Sequence, residues 1–147
     1  MYGLVTAVLN KSERRRLNGF QARCLRRILK VPSAYVSRIS NARVLSMAQD
    51  RLLSSTLEKH QMILMGKLAL RPSDDVVRSS IFMPDGINLK RVVGSLKRGR
   101  PRIRWAHQVH NLCLNVAGSL EALSHYWNHE SSSFEDWKRF IKMGRSR

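Results

Sequence analysis

Apolar positions recur along most of this chain at three- and four-residue steps, the spacing of one helix face, and no two-residue alternation competes beyond the first nine residues. The first strong pattern predicts a helix from about Lys11 to Val31, with Asn10 as its cap, Glu13 three residues on to close a capping box, and Pro32 to end it. Leu17, Phe20, Cys24, Leu25 and Ile28 share one face and are expected to be core. Arg15, Arg16, Arg23, Arg26, Arg27 and Lys30 gather on the opposite side as a cationic ridge.

A Pro/Ser/Tyr connector leads into a second helix within "SRISNARVL", capped by Ser40 or Asn41. A third, Arg51 to Leu70, carries Leu53, Leu57, His60, Leu64 and Leu68 on one stripe and stops at Pro72. Ser73 or Asp74 is expected to cap a short piece through Phe82, and "MPDG" is a turn. Gly86 to Pro101 reads as a loop. Trp105, Val109, Leu112 and Val116 define a fourth main helix, broken near Gly118, and Leu120, Leu123 and Trp127 a fifth. "SSFE" is a capping box for a last helix holding Phe134, Trp137 and Ile141. The expected fold is all-α, a small bundle of about five to six helices with a basic extended loop. It is read as one domain overall, with an N-terminal basic helical part (1–85), a basic Gly/Pro-containing loop (86–104) and a C-terminal helical part (105–147).

At 147 residues with 43% hydrophobic composition, such a domain can bury roughly 68–70% of its unfolded surface. Charge changes the picture more than size does. Lys and Arg number 27 against 10 acids, a formal net charge of +17, and so one-sided a balance favours a polyanionic partner, nucleic acid before an anionic membrane. Arg dominates the clusters, and its planar fork suits phosphate. Cys24 and Cys113 make no disulfide framework and are expected as buried thiols. The apolar opening "MYGLVTAVLN" is too short to span a bilayer and lacks a cleavage pattern, so no membrane partner is expected. A mitochondrial presequence is the weaker reading of that Arg-rich start, because it reads better as a folded helix.

Candidate chemistry concentrates in "SLKRGRPRIRW". Its "KRGRPR" core has the form of an AT-hook: Pro101 stiffens the arm, Gly99 allows close backbone approach, and Arg98 and Arg100 would enter a narrow minor groove. The competing reading is a basic loop in which Lys97, Arg98, Arg100, Arg102 and Arg104 touch phosphates of any nucleic acid. Trp105 just after it either stacks on bases or packs on the core stripe of its helix, while Trp127 and Trp137 are expected to pack. His107, His110, Cys113, His125 and His129 invite a zinc reading. Structural histidines and a core thiol are favoured, so no metal or cofactor is expected. Pro84-Asp85 with Asp136-Trp137-Lys138 nominally match a restriction-like nuclease, but lie on a turn and a helix with no sheet between them.

Taken in order, "YGLVTAVLNKSERRRLNGFQARCLRRIL", "VSRISNARVL", "HQMILMGKLALRPSDD" and "FMPDG…KRGRPRIRW" resemble the region after the polymerase in non-LTR (LINE-type) retrotransposon reverse transcriptases. Trp127 and Trp137 fall where that family's closing tryptophan helices would. The resemblance covers nearly the whole chain and departs from the pattern at Gly66-Lys67, where Gly-His is expected. It implies a piece without the polymerase centre, whose paired aspartates sit on a hairpin. "PSDDVV" instead places Asp74 and Asp75 at a helix start. The implied reading is a stand-alone remnant with no enzymatic activity that binds RNA or DNA, in the nucleus, with a reverse transcriptase in trans as a possible partner. A protein–protein assembly module and a relic reading frame without selected function are the alternatives.

Overall fold

The computed structural model describes residues 3–91, 104–127 and 134–143. Among the described residues the fold is all-α, with a 3-10 turn at Leu4–Thr6 and eight helices. These are α1 (Lys11–Ile28), α2 (Ala34–Ser37), α3 (Asn41–Met47), α4 (Leu53–Ala69), α5 (Val76–Ile81), α6 (Trp105–Ala117), α7 (Leu120–Trp127) and α8 (Phe134–Met143). Extended pairing among them is limited to one antiparallel bridge, Phe82 to Leu89. The single-turn α2, inside the Pro/Ser/Tyr connector, is too short to show a period and is the element the pattern misses.

Local chemistry sets the boundaries. Asn10 and Glu13 close the capping box of α1 in both directions: the Glu13 N–H donates to Asn10 Oδ1 at 3.0 Å and the Asn10 N–H to Glu13 Oε2 at 2.7 Å. The helix stops at Ile28, short of Val31, because Lys30 turns left-handed at φ 54°. Ser40, of the two candidates, caps α3 through its hydroxyl. Asp75 caps α5 where Ser73 or Asp74 was expected. Those two residues are spent in a turn closed by the Asp75 N–H on the Pro72 carbonyl, which leaves the Asp75 carboxylate facing the Arg78 N–H.

The chain forms two compact units, Leu9–Leu57 in one and Met1–Val8 with Glu58–Arg147 in the other. In the first, α1 does not bury the expected stripe. Phe20 is 55% and Ile28 74% exposed, whereas Gln21, Ala22 and Arg26 are buried. The inward face is thus rotated by about one residue, or 100°, and the reason is polar. The first N–H groups of α4 have no intrahelical partner, and α1 supplies acceptors: Gln21 Oε1 takes Leu53 N–H at 2.8 Å and Asn18 Oδ1 takes Ser54 N–H at 3.0 Å. Gln21 Nε2 also donates to Asp50 and to the Arg51 carbonyl. Arg26 is buried with them, donating to the Pro32 and Ile39 carbonyls, Ser37 Oγ and Asn41 Oδ1. One guanidinium thereby folds the whole α1–α3 connector.

In the second unit the core gathers Met62, Met65 and Leu68 of α4, Phe82, Val109 and Cys113 of α6, Leu123 and Trp127 of α7, and Trp137 and Ile141 of α8. Of the expected α4 stripe, Leu57 and Leu68 are buried, Leu53 and Leu64 half-buried and His60 exposed, and Gln61, Met62, Met65 and Ala69 join the buried face. Arg78 is buried too: Nε donates to the Ala69 carbonyl at 3.0 Å, and Gly86, at φ 70°, passes so close that any Cβ there would strike the guanidinium. No helix among the described residues is long and apolar enough to cross a membrane.

Candidate nucleic-acid interface

Rotation of α1 brings together side chains that the apolar pattern had kept apart. Arg16, Phe20, Arg23 and Arg27 follow one another at steps of four, three and four, so they line a single face of the helix. All four are exposed. Arg15 is exposed beside this stripe, and Lys30 is exposed just past the helix end. Arg26, expected on the same ridge, is withdrawn from it by its four acceptors.

The Leu9–Leu57 unit carries eleven Lys and Arg against two acids, a net +9. Both acids are already engaged. Glu13 holds the capping box, and Asp50 accepts from Gln21 Nε2 and the Arg51 N–H. Among the described residues no ion pair involves Arg15, Arg16, Arg23, Arg27 or Lys30. Arg38 and Arg43 add exposed charge, the former with its guanidinium 5.8 Å from the ring of Tyr35, itself 84% exposed.

Beside the stripe runs a groove of about 630 Å³ lined by Phe20, Arg23, Cys24, Arg27, Val31 and Ala34, with buried Arg26 in its wall. It offers aromatic and aliphatic surface between guanidinium groups and has no acidic lining residue.

Arg104 is exposed at the start of α6. Trp105, open to either base stacking or core packing, packs partly buried against the core and donates its indole N–H to the Val5 carbonyl at 2.8 Å. Lys97, Arg98, Gly99, Arg100, Pro101 and Arg102 lie outside the described residues, and with them the hook motif.

The histidines and thiol do not converge: among the described residues no three His, Cys, Asp or Glu side chains gather as metal ligands. Cys113 is fully buried, and burial pushes its thiol well above the usual range. His110 lies 2.9 Å from the Ile87 carbonyl through Nε2. A carbonyl only accepts, so Nε2 carries the proton. Burial holds the His110 pKa below the ordinary value, aided by His107, against the opposing pull of that hydrogen bond. His129 lies outside the described residues. Asp85 is committed to its own turn, accepting from the Ile87 and Asn88 N–H groups and from Asn88 Nδ2, while Asp136 pairs with Arg139.

No family model, curated protein or solved structure matches the chain. The site residues that hydrophobic periodicity hid are Phe20 and Tyr35. For Phe20 the signal was present: arginines at four before, three after and seven after place it inside a cationic stripe as readily as on a core face.

Proposed function

We propose that this chain is a non-catalytic nucleic-acid-binding module, akin to the region after the polymerase in a non-LTR retrotransposon reverse transcriptase, acting on RNA or DNA in the nucleus. The observation that carries this reading is the exposed stripe of Arg16, Arg23 and Arg27, flanked by Arg15 and Lys30, in a unit whose two acids are both engaged elsewhere. Such an arrangement leaves mobile anions as the cations' neutralising partners, and a phosphate backbone that displaces those anions and sheds its own counterions gains free energy by doing so. The order of the four sequence segments supports the same reading, with a reverse transcriptase in trans as the natural co-worker.

The test is a retention assay against duplex DNA, single-stranded DNA and structured RNA at two salt concentrations. The expected result is binding that falls steeply with salt. Weak, salt-insensitive retention of all three would transfer the stripe to an acidic protein partner.

A further inference from the structure

The interface holds more than charge. Phe20 is more than half exposed on the stripe between Arg16 and Arg23, and a large apolar ring in that position gains nothing from water. Together with Cys24, Val31 and Ala34 it forms an apolar strip in the groove, while Arg23 and Arg27 stand one helical turn apart in the same lining. Their four-residue separation is a rise of about 6 Å, the order of the spacing between successive phosphates of an extended strand. The groove, at about 630 Å³, falls within the range that receives small planar ligands.

Resting on the proposed function and going beyond it, we infer that the groove receives an unstacked base of a single-stranded nucleic acid, laid on the face of Phe20, with the adjoining phosphates on Arg23 and Arg27. A duplex keeps its bases stacked inside and presents phosphate alone. It can use the arginines but not the ring. Single strands, whose bases all have a free π-face, use both. An amphipathic helix from another protein is the less fitting occupant, because its apolar stripe would have to desolvate two guanidinium groups in the groove and its acids would be needed at both.

The experiment compares a labelled homopolymeric single strand with a duplex of equal length, using the full chain and its Phe20→Ala and Phe20→Trp variants. Phe20→Ala is expected to weaken single-strand binding about tenfold or more, to leave duplex binding unchanged, and to leave the salt dependence of both unchanged. Phe20→Trp should retain single-strand affinity, and its added emission should be quenched as the strand binds. Equal loss on both nucleic acids, no loss on either, or no quenching overturns the inference, while steep salt-dependent binding by the unaltered chain keeps the proposed function intact. Loss of binding to an acidic helical peptide, with oligonucleotide binding untouched, would overturn it in favour of a protein partner. Absence of binding by the unaltered chain to either nucleic acid removes both readings at once.

Discussion

Trp137 packs directly against Gly66, its indole occupying the space a side chain on α4 would need, and its Nε1–H donates to the Met62 carbonyl one turn earlier at 2.9 Å. The close approach is possible because glycine lacks a Cβ, and it seats α8 on α4 through the largest fully buried side chain among the described residues.

Glycine inside a helix ordinarily costs about 0.5–1 kcal/mol relative to alanine, and α1 and α4 should answer oppositely when that is tested. Gly66→Ala drives a methyl group into the indole and is expected to cost about 1–3 kcal/mol by overpacking. Gly19→Ala, mid-helix in α1 with open space where its methyl would go, is expected to gain about 0.5–1 kcal/mol. Thermal or denaturant melts of the two single variants check the pair. A gain at Gly66 would mean that Trp137 is not seated there.

Arg26 and Phe20 invert the usual expectation for a charged and an aromatic residue. Arg26→Gln strands carbonyls and side-chain oxygens of the connector that the guanidinium satisfies, and is expected to cost about 2–4 kcal/mol. Phe20→Ala removes a ring that is mostly in water and is expected to stay within about 1 kcal/mol. Denaturant midpoints compared under one condition decide it. If Phe20→Ala proves the more damaging, the inward face of α1 is the apolar one after all.

That inversion marks where the sequence was legible and where it was not. Helix class, the Asn10–Glu13 box, the break at Gly118 and the core positions Val109, Leu123, Trp127, Trp137 and Ile141 follow from periodicity and cap chemistry, because there apolar burial alone decides the facing. In α1 the deciding partners are Leu53 and Ser54, more than thirty residues away, whose orphan N–H groups call for Asn18 and Gln21. A long-range polar demand of this kind leaves no period. The candidate site inherits the same limit: Arg16, Arg23 and Arg27 were visible as a ridge, but the exclusion of Arg26 and the inclusion of Phe20 depend on which face turns inward.

His110 gives the fold a pH dependence of definite sign. Its folded pKa lies below the ordinary value because burial disfavours the imidazolium, so in mildly acidic solution the unfolded chain binds more protons than the folded one. The contribution is present above the unfolded pKa of about 6.5 and is lost as pH falls towards the folded value. Melting temperature is therefore expected to drop between neutral and mildly acidic pH, and the drop should be shallower in His110→Gln. Parallel curves for the two proteins would sink the assignment.

The cations beyond the described residues can be assigned by selectivity. With Arg98 and Arg100 both changed to Ala, binding should weaken by a similar factor for A·T-rich duplex, G·C-rich duplex and structured RNA, as expected of phosphate contacts. Competition with a minor-groove drug should leave the unaltered chain bound. A loss confined to A·T-rich duplex, together with displacement by the drug, would instead make "KRGRPR" a minor-groove hook.

Salt dependence separates the working cations of α1 from the structural one. Each phosphate contact contributes roughly 0.7–0.9 to the slope of log affinity against log salt, so changing Arg16, Arg23 and Arg27 together to Gln should lower the slope by about two to three units. The loss should be alike for every nucleic acid sequence, since phosphate contacts position a strand without reading it. Arg26→Gln, measured where circular dichroism shows the helices retained, should leave the slope as it was, because its guanidinium faces the Pro32 and Ile39 carbonyls and not solvent. Equal slope changes in the two proteins would place Arg26 on the phosphate track and dissolve the distinction on which the interface is built.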